Sequence, residues 1–470
     1  MAATSIWRPL MARSRLKSVK GLPETSFLAS RRPTVFATHI HIVRAFSSSQ
    51  ASPKEPLRIL FCGSDAFSCA SLQVLHNAMQ SQKSQALPTE APGRIASLDV
   101  VVRPAKRTGR GRATIIESPV KVLATELGLP VHERDTFTGW TPPPSEVPET
   151  AINMIVAVSF GLFVPKRLLR AARYGGLNVH PSLLPDLHGS APIEHAVLLG
   201  RPRTGVTIQT LDETTFDGGR RLLQGPYDEA NAEVGLPLPP RCTSAELHQL
   251  LAPLGANLLV EVIRRGLYLP EHADIDVSGP LSSISPQEPA PAPKLTKADQ
   301  QVLWQTETAV DIDRRARALG ELWTQMELLP TKKERKAESV IGGPAKKKRA
   351  ILDKVDLVAC PDSLCAVLEA RGSSSVSPEI AEVVQTAIFV QEDGETHHNM
   401  ILPFTVDGES IVVPVGVDLA DKTGLSCLRI GSIKVEGEKT KPAARAMAAF
   451  ASKGDEAALD KTAWDVVLRL

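Results

Sequence analysis

Paired cysteines are missing from this sequence. Its 470 residues contain six cysteines, with no Cys-x-x-Cys pair and no histidine at the spacing of a zinc site. The six are Cys62, Cys69, Cys242, Cys360, Cys365 and Cys427. Isolated thiols of this kind are typical of proteins in a reducing compartment. We therefore predict reduced cysteines and no structural metal ion.

Long apolar runs are missing as well. The longest run, Ile152 to Pro165, is interrupted by Asn153, Ser159 and Gly161, and it is shorter than the ~18 residues that indicate a membrane-spanning helix. A hydrophobic content of 43% and a charged content of 23% are typical of a globular protein. The length suffices for two or three domains, and we expect a monomer that does not contact a membrane.

Acidic residues are nearly absent from residues 1–50. Glu24 is the single acid there, among many arginines and serines. This composition is typical of a mitochondrial transit peptide, whereas the compact apolar core and A-x-A site of a secretory signal are absent. We predict that residues 1–50 direct the chain to the mitochondrial matrix. The alternative is a basic tail without a targeting function.

A dinucleotide-binding G-x-G-x-x-G fingerprint is also absent, although the chain after residue 55 has an α/β pattern. Leu57 to Cys62 predicts a buried parallel strand, and Asp65 can cap the helix that follows it. Gln80 to Ser97 is mostly polar and predicts a surface insertion, and Leu98 to Val102 predicts the second strand. One glycine after the first strand does not predict a dinucleotide cofactor.

The most informative stretch is Gly176 to Pro192, GLNVHPSLLPDLHGSAP. It begins as a strand, which places Asn178 and His180 on the same side, and Pro181 ends the regular pattern. Ligands commonly bind at strand ends in α/β sheets. Taken alone, Asn178 could cap a turn and His180 could be a satisfied core histidine.

The longer pattern resembles the 10-formyltetrahydrofolate-dependent formyltransferase family. The matching phrases are N-V-H-x-S-L-L-P, G-V-T-I at Gly205 to Ile208, and F-D-x-G at Phe216 to Gly219. The resemblance implies a Rossmann-like α/β catalytic domain over residues 55–272 with Asn178, His180 and Asp217 as catalytic residues. Asp212 is a second candidate acid, but the family motif has its acid two residues before a glycine, as in Phe216-Asp217-Gly218-Gly219.

The resemblance also implies where the formyl donor, 10-formyltetrahydrofolate, would bind. In the family, a phrase like Ser159-Phe160-Gly161 lies beside the pterin ring, and the local residues equally allow a plain strand and turn. The predicted folate contacts are Phe160, Gly161, Leu162, Val164, Ser182, Leu183, Leu184 and Pro185. The reaction implied is formyl transfer to an amine, without a metal ion.

A basic loop, Arg103 to Arg112, distinguishes possible amine acceptors. Family members that formylate methionyl-tRNA have a basic G-R-G loop at this place, whereas those acting on glycinamide ribonucleotide lack it. Arg107, Arg110 and Arg112 are therefore candidate contacts to the initiator tRNA, because such loops approach phosphates closely. The alternative is a solvated loop.

The second half of the chain resembles the tRNA-binding part of the same family less strongly. A Pro-rich linker is predicted over residues 273–293, followed by a small OB-like β-barrel domain over residues 294–470. The predicted tRNA contacts there are Lys434, Lys439 and Lys441. A Lys-rich insertion over residues 331–350 is either a phosphate contact or a solvated loop.

Two departures from the family pattern leave the substrate contacts open. Bacterial relatives have a basic-aromatic-basic run where this chain has Asp186, Leu187 and His188, and an acid where it has Arg220. Another acceptor, such as water, a sugar amine or a purine precursor, remains an alternative, as does a non-catalytic RNA-binding protein. The basic loop, the second domain and the amino-terminal segment favour tRNA.

Overall fold

The computed structural model describes residues 55–85, 93–108, 114–143, 150–228, 233–270, 288–328, 346–369, 384–393, 396–416 and 426–453. The predicted transit peptide, Arg110, Arg112 and most of the Lys-rich segment lie outside these ranges. No helix within them is long and apolar enough to cross a membrane.

Short strands dominate the first part of the chain. They are β1 (Leu57–Gly63), β2 (Ile95–Val102), β3 (Lys106–Thr108), β4 (Thr114–Ile116), β5 (Val131–Glu133), β6 (Met154–Val158), β7 (Gly176–His180), β8 (His188–Gly189), β9 (Arg203–Thr204), β10 (Val206–Thr210), β11 (Arg221–Gly225), β12 (Tyr227–Asp228), β13 (Glu233–Val234), β14 (Leu236–Pro237) and β15 (Pro291–Ala292). Seven of them form one sheet in the order β11-β10-β7-β6-β1-β2-β5. The strands from β7 to β5 are parallel, and β10 is antiparallel to β7. This is the mostly parallel Rossmann-like sheet that the sequence predicts.

Five helices cover this sheet. They are α1 (Ala66–Ser84), α2 (Pro119–Glu126), α3 (Lys166–Ala171), α4 (Pro192–Leu198) and α5 (Ser244–Arg265). Alternate residues of β1 supply the two faces: Ile59 and Phe61 pack with α1 and α5, whereas Leu60 and Cys62 pack on the side of α3. The sheet is therefore buried on both faces, as expected for parallel strands.

The starts of α1 and α2 differ in how they are capped. The Asp65 carboxylate accepts from the Ser68 backbone N–H at 3.0 Å, which confirms the cap of α1. Ser118 occupies the cap position of α2, but its hydroxyl donates to the Ser64 carbonyl at 2.7 Å and makes no cap bond. It thereby connects this helix to the turn after β1.

The predicted polar insertion at Gln80 to Ser97 is partly wrong. Its first residues extend α1 to Ser84, and its last residues begin β2 at Ile95. Ile95 is buried, and the Gln82 side chain accepts from its backbone N–H at 2.8 Å. The polar composition of the helix end therefore gave no sign in the sequence of this contact between Gln82 and Ile95.

The second part of the chain forms its own hydrophobic core. Its strands are β16 (Leu322–Glu327), β17 (Lys347–Ala359), β18 (Val384–Asp393), β19 (Thr396–Asp407), β20 (Ser410–Pro414), β21 (Ser426–Val435), β22 (Lys441–Pro442) and β23 (Ala451–Lys453). The helices are α6 (Ala309–Leu319), α7 (Asp362–Glu369) and α8 (Ala443–Met447). The antiparallel order β16-β17-β21-β20-β19-β18 closes through pairing of β16 with β18. The predicted barrel is confirmed as a closed six-stranded one, and two of its strands, β16 and β19, were not predicted.

The end of the Lys-rich insertion is a strand and not a loop. Lys347 to Ala350 pair with β16, and Ala350 is buried. The Arg349 guanidinium lies 4.3 Å from the centre of the Trp323 ring, a cation–π contact. This part of the basic segment is therefore ordered by the barrel itself.

Candidate active site

The three predicted catalytic side chains meet at one point. Asn178 and His180 project from β7, and the loop after β10 returns Asp217 to them. Asp217 Oδ1 lies 3.2 Å from Asn178 Nδ2 and 3.3 Å from His180 Nδ1. The strand end and the F-D-x-G phrase thus form a single cluster.

Asp217 is held as a carboxylate. Burial alone would raise the pKa of this side chain, but the hydrogen bond and charge of His180, with donors from Gly189 and Gln209, outweigh it and lower the pKa below the ordinary value of 3.8. The Gly189 backbone N–H donates to Oδ2 at 2.9 Å, and Gln209 Nε2 donates to Oδ1 at 2.9 Å. Asp217 also has a left-handed backbone with φ of 56°, so its loop is strained to present it here.

His180 is oriented by acceptors on both ring nitrogens. Its Nε2 lies 3.0 Å from the Leu187 carbonyl oxygen, and its Nδ1 faces Asp217. The side chain is 5% exposed. These two oxygen atoms fix the orientation of the ring.

Asp212, the competing acid, has a local role. Its Oδ1 accepts from the backbone N–H groups of Thr214 and Thr215 at 2.8 Å each and from the Thr214 hydroxyl at 2.7 Å. These bonds form a turn of the kind that aspartate commonly stabilises. The geometry therefore supports Asp217 as the acid of the cluster.

A cavity of about 610 Å³ opens beside the cluster. Phe160, Gly161, Leu162 and Val164 line it together with Asn178, His180 and Asp217. The half of the predicted folate contacts that follows β6 therefore faces the catalytic residues. At the cavity wall, Phe216 is 65% exposed and its ring contacts Phe163 edge-on, with 5.0 Å between ring centroids.

The other half of the predicted folate contacts does not line this cavity. Ser182, Leu183, Leu184 and Pro185 form the loop behind it. Ser182 Oγ donates to the Asp186 carbonyl at 2.6 Å, and the Leu184 N–H donates to Thr207 Oγ1 at 3.0 Å. The Leu184 carbonyl in turn accepts from Arg221 and Gln224. These residues shape the loop behind the cavity, and their contact with the folate stays a prediction.

Of the residues that depart from the family pattern, Leu187 contacts His180 through its backbone carbonyl, and the others lie around the cluster. Asp186 is buried and forms an ion pair with Arg201 at 2.7 Å. His188 is exposed on β8. Arg220 donates its backbone N–H to Thr210 Oγ1 at 2.8 Å and its guanidinium to the Leu267 carbonyl at 3.4 Å. The substitutions thus alter the supports of the site.

Three of the four predicted tRNA contacts that the structure describes are exposed cations. Arg107 lies on β3 and is exposed, as are Lys434 on β21 and Lys439. Lys441 is already paired, because its Nζ lies 2.5 Å from Glu438. Arg107, Lys434 and Lys439 are thus the better placed of the four for phosphate contact.

The sequence did not predict three residues that contact the cluster or line the cavity. Gln209 lies opposite Asn178 across the antiparallel β10–β7 pair and donates to Asp217. Gly189 supplies the second donor to that carboxylate, and Pro293 lines the cavity from the predicted linker. A polar Gln209 on an otherwise buried strand was the one sequence signal available.

Among the described residues, no group of three or more histidine, cysteine, aspartate or glutamate side chains could hold a metal ion. All six cysteines lie in the described ranges and are free thiols.

A family model described as formyl transferase matches residues 57–262, which contain the mostly parallel sheet, the Asn–His–Asp cluster and the residues of the strand-end cavity other than Pro293. The mitochondrial methionyl-tRNA formyltransferase of Saccharomyces cerevisiae is 34% identical over 315 residues, covering 62% of this chain and 75% of the yeast protein. The chain belongs to the methionyl-tRNA formyltransferase family.

Other relatives are similar over a shorter length. The mitochondrial methionyl-tRNA formyltransferase of Homo sapiens is 32% identical over 274 residues, covering 58% of this chain and 60% of the human protein. A solved sugar N-formyltransferase from a Shewanella species has a TM-score of 0.38 and 17% identity, covering 56% of this chain and 88% of that one. The chain therefore spans about three fifths of the human relative.

Proposed function

We propose that this protein transfers the formyl group of 10-formyltetrahydrofolate to the α-amino group of initiator methionyl-tRNA in the mitochondrial matrix. The product, formylmethionyl-tRNA, would serve translation initiation there. The observation that carries the proposal is the convergence of Asn178, His180 and Asp217 on one cavity in a chain of this family.

The cavity suits the ring end of a folate. Phe160, Leu162 and Val164 supply apolar surface, while Ser159 and Gly161 adopt left-handed backbone conformations that turn the chain at the end of β6. Among the described residues, none pairs with a backbone N–H of residues 160–164. Such free backbone donors and apolar walls are what a planar, polar-edged heterocycle requires.

Exposed cations that a polyanionic acceptor could contact lie on both parts of the chain. Arg107 on the β3–β4 hairpin is exposed and can contact phosphate groups, as can Lys434 and Lys439 on the barrel. With Arg110 and Arg112, these cations favour a tRNA acceptor over a small amine. The choice of tRNA rests on them and on family membership.

Asn178 is placed to stabilise the charge that develops on the formyl oxygen as the amine attacks the formyl carbon. One of its two amide hydrogens is donated to Asp217, which fixes the orientation of the side chain. The other amide hydrogen can then donate to the oxyanion. A preorganised donor of this kind is typically worth ~100- to 1,000-fold in turnover.

His180 lies beside Asp217 and can add a second donor to the oxyanion as an imidazolium. Its contact with Leu187 holds the ring in place. The attacking amine loses a proton while N10 of the donor gains one, and His180 can pass the proton by giving one ring proton to N10 and taking up the one that the amine releases. Asp217, with its lowered pKa, orients the pair and stays ionised.

A formylation assay with purified protein tests the proposal. Methionyl-tRNA, glycinamide ribonucleotide and water should be compared as acceptors, with 10-formyltetrahydrofolate as donor. We expect transfer to methionyl-tRNA to exceed the other two by orders of magnitude in kcat/KM. Faster release of formate to water would identify a deformylase, and no turnover with any acceptor would favour a binding protein.

A further inference from the structure

The last residues of the predicted linker are docked on the catalytic loop. β15 pairs in parallel with β8, so that Pro291 lies beside His188 and Ala292 beside Gly189. The Leu187 N–H donates to the Ala290 carbonyl at 2.8 Å, and the Ala191 N–H donates to the Ala292 carbonyl at 3.1 Å. Ala292 is fully buried. Residues 290–293, called here the docked segment, are thus ordered by the active-site loop.

A buried ion pair fastens this segment. Asp186 Oδ1 accepts from the Ala290 N–H at 2.9 Å and from Arg201 at 2.7 Å. Arg201 reaches further along the chain and donates to the Glu288 carbonyl at 3.1 Å. Asp186 is one of the residues that depart from the family pattern. In this chain its carboxylate binds both the Ala290 N–H and Arg201.

Gly189 lies between the docked segment and the catalytic carboxylate. One side of it faces Ala292, where an added Cβ would overlap the Ala292 carbonyl oxygen. Its φ of 127° is in the region that favours glycine. On the other side its N–H donates to Asp217 Oδ2. Displacing the docked segment would therefore free this peptide to turn away from Asp217.

We propose that the docked segment is a positioning element of the active site, which holds the Gly189 amide against Asp217 and thereby couples the barrel to the catalytic carboxylate. The proposal rests on the proposed function for the identity of the reaction. The barrel's core begins shortly after the segment, with Val302 and Trp304.

The titration of the Asp217 carboxylate is a direct reporter of its contact with the Gly189 N–H. His180 on β7 is the titratable side chain in contact with it. Asp65, after β1, and Asp212, on the same loop, line the cavity, and the Asp186–Arg201 pair lies beyond Gly189. Because the Gly189 N–H favours the carboxylate, its loss should raise the pKa of Asp217 and shift the acidic limb of kcat to higher pH.

Two substitutions loosen the segment by different routes. Ala290→Pro removes the N–H that Asp186 accepts, and Asp186→Asn keeps the shape while removing the charge opposite Arg201. Glu288→Gln is the matched control, because that side chain is exposed and the Arg201 bond is to its backbone carbonyl. In the full chain, we expect kcat for methionyl-tRNA to fall on the order of tenfold in the first two variants, the scale of one hydrogen bond to a charged group. KM should change by less than about twofold, since the binding surfaces remain.

The ¹³C chemical shift of the Asp217 carboxyl group measures the change in its pKa without turnover. The signal is assigned by its loss in Asp217→Asn. The titration should move to higher pH in Ala290→Pro and Asp186→Asn and stay in place in Glu288→Gln. A folded variant with the wild-type titration and kcat would overturn the proposal and leave the segment a structural support. If Ala290→Pro does not fold, the isosteric Asp186→Asn decides. A wild-type protein that fails to formylate methionyl-tRNA would instead overturn the proposed function, and the ¹³C titration would still decide on the segment.

Discussion

The amide nitrogen of Asn178 donates to the carboxylate of Asp217 at 3.2 Å, although 39 residues separate the two in sequence. This bond determines which end of the Asn178 side chain faces the carboxylate. The second amide hydrogen of Asn178 remains available for donation at the cavity. The bond to Asp217 therefore fixes both the direction and the position of this donor.

The first prediction compares the two candidate acids. Asp217→Asn should lower turnover at least ~100-fold, because it removes the negative charge beside His180 and one of the two oxygens that accept N–H donors. Asp212→Asn should leave turnover within a few-fold, since Asp212 serves a local turn. Single-turnover formylation rates provide the measurement. A loss in Asp212→Asn without one in Asp217→Asn would reverse the assignment, and folate affinity should be retained in both variants.

Gln209 is the subject of the second prediction. Gln209→Ala removes a donor to Asp217 Oδ1, and a hydrogen bond to a charged group is worth ~1.5–3 kcal/mol. We expect kcat to fall by tenfold or more, with the acidic limb of the pH profile moved upward as the carboxylate loses a partner. Gln73→Ala, on the exposed face of α1, is the control. A pH profile identical to that of the wild type would show that Gln209 is not part of the site.

Local patterns predicted the strand that ends at His180 and the phrase that contains Asp217. They could not predict Gln209, because its role depends on the antiparallel pairing of β10 with β7, which places it opposite Asn178. The docking of Ala290 to Pro293 was also hidden, since a Pro-rich composition predicts an extended chain and says nothing about what covers it. In the barrel, β19 was not predicted as a strand because His397, His398 and Asn399 make the first half of its sequence polar, without alternation of apolar residues.

The third prediction concerns the basic loop. Each phosphate contact on a duplex changes the slope of log affinity against log salt by ~0.9. Replacing Arg107, Arg110 and Arg112 with alanine should flatten this slope and raise KM for tRNA, while folate affinity stays level. Arg170→Ala is a matched control, because Arg170 is exposed but is paired with Glu213 at 2.6 Å. An unchanged slope and KM would leave the loop without a role in tRNA binding.

Localisation is the fourth prediction. A reporter fused to about the first 60 residues, the length of a transit peptide with a short margin, should enter mitochondria and resist external protease until the inner membrane is opened. Replacing the arginines of residues 1–50 with glutamine should abolish import. Diffuse cytosolic signal from the fusion, or nuclear signal from the intact protein, would contradict it.

The pairing of β15 with β8 has a consequence for dissecting this chain into fragments. A catalytic fragment that ends at α5 lacks Ala290 to Pro293, and so exposes the Leu187 and Ala191 amides that these residues satisfy. A fragment extended to Pro293 retains both acceptors and the wall residue of the cavity. Mixing the shorter fragment with the rest of the chain would place those residues on the other partner, so that two pieces would share one active site.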